Sequence, residues 1–346
     1  MNNSEKLLSS FSEKIFYKEL VYSNLKFIPN GGTEVELADL IINLEDIVLA
    51  IQLKERNKSS QSNDSKKEEK WLLKRCKEAK KQVEDTISYI NNEEVIFENS
   101  RGKRTRINSN AEIVPLIVFE NSNILEYEHL IRNHSKEGLI VNCISMEDFK
   151  LMCMELMSPI EIIDYIKWRQ KFYQQNNDID VLITDTENGF FISKPQMKET
   201  LVQQYLYEQY GEKILNENTS YLGIFKGYVS VLFEHTVESS SMDACYEIVN
   251  FLAHLYRDEI KGFVERVKKA IEGPHQNEIV GSLRNVENEY VIVFISSNQG
   301  EVIPTKKLLH IVSKNQKVKK LLKVIVYPIN KNEYKIDFHY YNDNTV

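Results

Sequence analysis

Residues Thr33–Arg56 read TEVELADLIINLEDIVLAIQLKER. Two runs rich in Ile, Leu and Val, Thr33–Asn43 and Ile47–Glu55, are separated only by the polar Leu44-Glu45-Asp46, which predicts two strands joined by a short connection. Side chains alternate along a strand. In the second run Ile47, Leu49, Ile51 and Leu53 therefore point one way, while Val48, Ala50, Gln52 and Lys54 point the other. Gln52 and Lys54 share a face, and Asp39 lies on the neighbouring strand.

On the N-terminal side, Leu8, Phe11, Ile15 and Tyr22 recur at helical spacing behind a possible Ser4 cap, and Asn30-Gly31-Gly32 marks a turn. On the C-terminal side, Asn57–Glu69 is almost devoid of apolar residues and reads as a loop. A long amphipathic helix, Lys70–Ile90, follows, with Leu72, Cys76, Ala79, Val83, Ile87 and Ile90 as its core stripe. Strands are expected at Val95–Glu98, Ile113–Glu120 and Leu139–Ile144, and helices at Met146–Met157 and Pro159–Gln175. Ser158, Pro159 and Glu161 give the second of these helices its start signal.

Helices alternating with strands predict an α/β sheet in residues 1–145, with connecting helices over 146–177. The polar run Gln174–Asp178 is the expected boundary to a second, α+β domain over 178–346. That domain is expected to hold a hairpin at Asn188-Gly189, a helix near Pro195–Leu215, a strand near Leu222–Phe233 and a long helix from Asp243 to about Ile271. A strand–helix–strand–strand region closes it.

The 346 residues carry a formal charge of −7, which excludes a polycation that coats nucleic acid by bulk charge. Four cysteines without a C-x-x-C pair exclude a zinc ribbon or a disulfide framework and suit a reducing, cytoplasmic setting. No run reaches the roughly 18 apolar residues of a membrane span, and the N-terminal residues lack the pattern of a secretory signal.

Asp39, Gln52 and Lys54 together offer a carboxylate and an amide oxygen for a hard cation, with an ammonium beside the scissile phosphate. These are the parts of metal-assisted phosphodiester cleavage. The pattern resembles the restriction-endonuclease-like PD-(D/E)xK nucleases. The resemblance covers Ser4 to about Ile144, and it implies a core of helix, three-stranded meander, helix and strand. Asp39 matches the family's second-strand acid, and Gln52-Leu53-Lys54 matches its (D/E)-x-K element in the Q-x-K form. Ala38 stands where proline is usual.

The same resemblance implies Mg²⁺ or Mn²⁺ held by Asp39 and Gln52, with Lys54 as the catalytic amine and a further glutamate as ligand. Glu19 is preferred for that place because it follows Ile15 by four, whereas Glu13 points nearly opposite. Glu34 and Glu36 fall on the face opposite Asp39, unless a β-bulge around Leu37-Ala38 brings Glu36 in. The implied activity is a DNA endonuclease, with RNA as an open alternative, of the kind found in bacterial restriction and anti-phage defence. Its second domain would select substrate, bind a partner protein or mediate homo-oligomers. The rival class is a non-catalytic nucleic-acid or protein interaction module on a decayed nuclease fold. A blander reading of the residues makes Lys54-Glu55-Arg56 a solvated strand end, Gln52 an exposed sheet residue and Asp39 a turn cap.

Charge is unevenly spread. Lys54–Arg106 holds 15 Lys/Arg against 10 Asp/Glu, a net of +5 that leaves −12 elsewhere. Within it, Arg101, Lys103, Arg104 and Arg106 form a turn cluster suited to phosphate contacts. Lys317, Lys319, Lys320 and Lys323 read as a solvated face. His129 and His134 lack zinc-helix spacing, and neither a phosphate loop nor a serine-hydrolase elbow is present.

Overall fold

The computed structural model describes residues 2–29, 32–93, 95–124, 141–175, 197–230, 232, 242–273, 275–285, 289–298, 303–304, 307–308, 311, 318–330 and 333–342. They fall into two compact units, Met1–Glu217 and Asn218–Val346.

The first unit opens with helix α1, Asn3–Phe16. Asn2 rather than Ser4 caps it: the Asn2 side chain accepts from Glu5 N at 2.8 Å, and the Glu5 carboxylate takes the Asn2 N–H at 2.9 Å. The helix ends at Tyr17, whose φ of 65° turns the chain. Tyr22 therefore lies not on the helix but in strand β1, Val21–Phe27, where its ring meets Phe97 at 6.2 Å. Its seven-residue spacing from Ile15 was coincidental.

Strands β2, Val35–Asn43, and β3, Ile47–Glu55, complete an antiparallel meander with β1. Between them Glu45 adopts a φ of 68°, and its N–H bonds to Asn43 Oδ1 at 2.9 Å. Helix α2, Ser65–Asn92, starts five residues before the expected Lys70, because Asp64 caps it by accepting from Lys66 N. The last five residues of the expected loop, Ser65 to Glu69, are thus helix. Strands β4, Ile96–Glu98, and β5, Arg104–Arg106, form a separate hairpin.

Strand β6, Glu112–Glu120, then lies parallel to β3, and β7, Asn142–Ser145, lies parallel to β6. The five-stranded order is β1-β2-β3-β6-β7. Two apolar clusters join it to α2: one includes Ile41, Ala50 and Ile90, the other Leu72, Ala79, Ile117 and Phe119. Residues 125–140, which include His129, His134 and the start of the expected Leu139–Ile144 strand, lie outside the described residues.

Helices α3, Met146–Leu156, and α4, Pro159–Gln175, follow where expected. Helix α5, Met197–Tyr210, also belongs to this unit. Its Tyr205 ring packs on Tyr165 at 5.5 Å and on Trp168 at 5.8 Å, and Trp168 Nε1 donates to Glu208 at 2.8 Å. These contacts move the boundary to Glu217, well past the polar run at Gln174–Asp178. The expected Asn188-Gly189 hairpin lies outside the described residues.

The second unit begins with α6, Ser220–Ser230, where a strand was expected. Its buried Tyr221, Leu222, Phe225 and Val229 recur at helical spacing, and Phe225 meets Phe263 at 5.2 Å. The expected long helix is two, α7 Met242–Ala253 and α8 Arg257–Glu272, broken at 254–256, where Tyr256 N donates to Glu259. Strands β8 Glu278–Asn285, β9 Tyr290–Ser296, β10 Lys320–Pro328 and β11 Tyr334–Asn342 form a sheet of order β11-β10-β9-β8, in which β9 and β10 run parallel. Lys323, expected on a solvated face, is buried in β10. Lys317 lies outside the described residues. The chain is therefore a mixed α/β protein. Among the described residues no helix is long and apolar enough to cross a membrane.

Candidate active site

The β2–β3 ladder pairs Leu40–Asn43 with Val48–Ile51. Beyond Leu40, side chains take over the bridging between the strands. Asp39 Oδ2 accepts from Leu53 N at 2.7 Å, and Gln52 Nε2 donates to Leu37 O at 3.3 Å. The Thr86 hydroxyl of α2 also donates to Leu37 O. Because Leu37 O is an acceptor, the Gln52 amide must turn its nitrogen there, which leaves Oε1 outside that bond.

On its other edge β2 carries the irregularity that the Glu36 alternative required. Leu25 pairs with Ala38 but Lys26 pairs with Glu36, so Leu37 is an extra residue in β2. One extra residue reverses the alternation and brings Glu36 to the side of Asp39. Both Leu37 and Ala38 are buried in the same apolar cluster, whereas Asp39 is half-buried and Glu36 exposed.

The charges agree with this geometry. Burial pushes the Asp39 carboxyl up to about 6; the Leu53 N–H and Lys54 pull it down, while Glu36 and Glu5 raise it. Burial likewise lowers the Lys54 amine below the usual lysine range, against the opposing fields of Asp39, Glu36 and Glu78, and Arg75 lowers it further. Lys54 forms no ion pair within 4 Å among the described residues. Of the bland reading, the strand end holds, since β3 stops at exposed Glu55 just after half-buried Lys54, but its account of Gln52 and Asp39 fails. Gln52 is only 4% exposed, and Asp39 bonds across to β3 rather than capping a turn.

The end of β3 is anchored. Arg56 donates to Glu68 through Nε at 3.2 Å and a terminal nitrogen at 3.1 Å, and its guanidinium lies 5.5 Å from the Trp71 ring centre. Glu68 is fully buried and also accepts from Asn121 at 2.7 Å and Ser62 N at 2.9 Å. Burial pushes its carboxyl up, but Asn121, Arg56 and Ser62 pull it further down, and it ends below the usual range.

Glu19 is held elsewhere. It lies beyond the end of α1, and its carboxylate pairs with Arg101 Nε at 2.5 Å. Asn43 N bonds to Leu20 O, which puts Leu20 about four strand residues, roughly 13 Å, from the level of Asp39, with Glu19 one residue before it in the chain. Of the four basic residues at the turn, Arg101 pairs with Glu19 and Arg104 with Glu98, while Arg104 and Arg106 lie in β5. The cluster is thereby anchored at the end of the sheet near Asn43. Lys54 lies six residues along β3 from Val48, the partner of Asn43, a run of about 20 Å.

Sequence reasoning overlooked Glu5, Glu78, Arg75 and Thr86 as neighbours of this site. Glu5, in the first turn of α1, is an acid from the first helix. Arg75 and Glu78, paired at 2.5 Å, sit on the predicted amphipathic helix. Their spacing of three signals a shared helix face, but nothing local says that this face looks toward Lys54.

Asp39, Glu36 and Gln52 are oxygen donors of the type hard cations take. Among the described residues no group of three or more His, Cys, Asp and Glu side chains is placed to hold a metal ion. Two carboxylates with an amide oxygen suit Mg²⁺, which keeps several waters and binds through one or two carboxylates plus substrate phosphate. The raised Asp39 pKa fits the same view, since a cation relieves a half-buried carboxylate facing two others. No protein-family model matches the chain, and neither a curated protein nor a solved structure matches it.

Proposed function

We propose that the chain is a metal-dependent nuclease that hydrolyses DNA phosphodiester bonds, with its site at the splayed ends of β2 and β3. The observation that carries this reading is geometric: Asp39 is clasped to Leu53 N next to Lys54, the β2 bulge at Leu37 turns Glu36 to the side of Asp39, and among the described residues Lys54 forms no ion pair within 4 Å. The order helix, meander, helix and a strand parallel to β3 supports it, being the core that the resemblance to PD-(D/E)xK nucleases implies.

Asp39 and Glu36 would hold Mg²⁺ or Mn²⁺, with Gln52 Oε1 as a supporting donor. The ion would supply Lewis-acid polarisation of a phosphoryl oxygen. Lys54, whose amine gives up its proton more readily than an exposed lysine, is suited to orient the attacking water. As an ammonium it offsets charge developing on the phosphate. The Leu53 N–H holds Asp39 in one rotamer, and Thr86 and Gln52 hold the Leu37 carbonyl of the bulge.

The test is cleavage of supercoiled plasmid, linear duplex and RNA with Mg²⁺ or Mn²⁺, wild type beside Lys54→Ala. Metal-dependent nicking lost in the variant supports the reading; equal nicking in EDTA overturns it. One observation favours a non-catalytic module, namely that Gln52 spends its amide nitrogen clamping the bulge. That reading wins if calorimetry finds no Mg²⁺ or Mn²⁺ binding in the presence of DNA while DNA binding survives Asp39→Ala.

A further inference from the structure

Two thiols outside the proposed site lie against each other. Cys76 Sγ on α2 is 3.4 Å from Cys143 Sγ on β7, and the pair sits in the cluster of Leu72, Ala79, Ile117 and Phe119. Cys143 is 2% exposed, whereas Cys76 is half-buried and reachable from solvent. A disulfide needs the sulfurs about 2.05 Å apart, so the pair is about 1.3 Å from bonding distance. Helix and strand side chains can cover that by small rotations about their χ1 angles.

We infer that Cys76 and Cys143 form a site of reversible covalent modification, an intrachain disulfide made by hydrogen peroxide. The Cys76 thiolate attacks one peroxide oxygen; the O–O bond breaks, and the departing hydroxide takes up the thiol proton as water, leaving Cys76 as a sulfenic acid. The Cys143 sulfur then attacks the Cys76 sulfur, the S–O bond breaks, and a second water leaves with the Cys143 proton. Two thiols are oxidised by two electrons in all, and one peroxide is reduced to two waters. The roles follow from access: the half-buried thiol meets the oxidant, and the buried one resolves it. The cross-link ties α2, which carries Arg75 and Thr86, to β7.

The experiment treats the full chain with hydrogen peroxide, alkylates the remaining thiols under denaturing conditions, and maps the peptides. Wild type is expected to fall from four alkylatable thiols to two, with one linked pair, Cys76 to Cys143, reversed by dithiothreitol. Cys143→Ala is expected to leave Cys76 as a sulfenic acid that dimedone labels. The inference is overturned if oxidised wild type keeps four thiols, or stops at dimedone-reactive Cys76 with Cys143 still alkylatable. Linkage of Cys76 to Cys153, Cys245 or a second chain overturns it equally. None of these readouts depends on nuclease activity.

Discussion

Asp39 Oδ2 accepts the backbone N–H of Leu53 at 2.7 Å, in the stretch where the β2–β3 ladder has already ended. A carboxylate thus does the work of a strand carbonyl. It keeps Leu53, and with it Lys54 one residue on, in fixed relation to the acid.

Lys54→Ala is expected to lower metal-dependent cleavage by about 10²–10⁴-fold, the range for loss of a positioned proton-transfer group. Stability should change by no more than about 0.5–1 kcal/mol, because among the described residues the amine forms no ion pair and its stem is only partly buried. Nicking rates and urea melts of the same preparation check both halves.

Asp39→Asn should abolish metal binding and yet stabilise the metal-free chain at neutral pH. The folded carboxyl, at about 6, lies above the 3.8 of an ordinary aspartate, so the folded state holds the proton more tightly. That stabilising preference is complete below about 3.8 and is lost as pH rises through about 6. Asparagine removes the buried charge while still accepting from Leu53 N, a gain of about 1–3 kcal/mol above pH 7. The gain should fade toward pH 4. Urea melts in EDTA at pH 4 and 8 test this, and a loss of stability at pH 8 would contradict it.

Glu36→Gln and Glu19→Gln should separate catalysis from architecture. Glu36 faces Asp39 and Lys54 and is exposed, so its loss should weaken Mg²⁺ binding with little effect on melting. Glu19 is buried against Arg101, so its loss should leave metal binding unchanged and cost about 1–3 kcal/mol. Calorimetric Mg²⁺ titration and thermal melts of both variants decide the assignment.

Gln52→Glu should destabilise the chain by about 1–3 kcal/mol, because an ionised carboxylate cannot donate to Leu37 O and instead opposes it. Thr86→Val removes the other donor to that carbonyl and should act in the same direction. If both variants melt with the wild type, the bulge does not depend on these side chains.

Strands β2 and β3, the extent of α4 and the core stripe of α2 were legible because each depends on local sequence pattern. The start of α2 and the character of α6 were missed for related reasons. A polar first turn resembles a loop until Asp64 is seen to cap it, and a short apolar run fits helix and strand alike. Similarly, nothing in the polar run at Gln174–Asp178 reveals that α5 returns to pack on α4.

The order of residues by itself determined that Gln52 and Lys54 share a face and that Asp39 stands one strand away, since alternation is a property of the backbone alone. Only the tertiary structure decided which glutamate stands on the side of Asp39. One extra residue at Leu37 inverts every side-chain direction beyond it, and the carbonyl of that residue accepts from Gln52 and Thr86, on another strand and on a helix 49 residues on. Glu19 was drawn away for the matching reason: Arg101, 82 residues along the chain, folds back to pair with it.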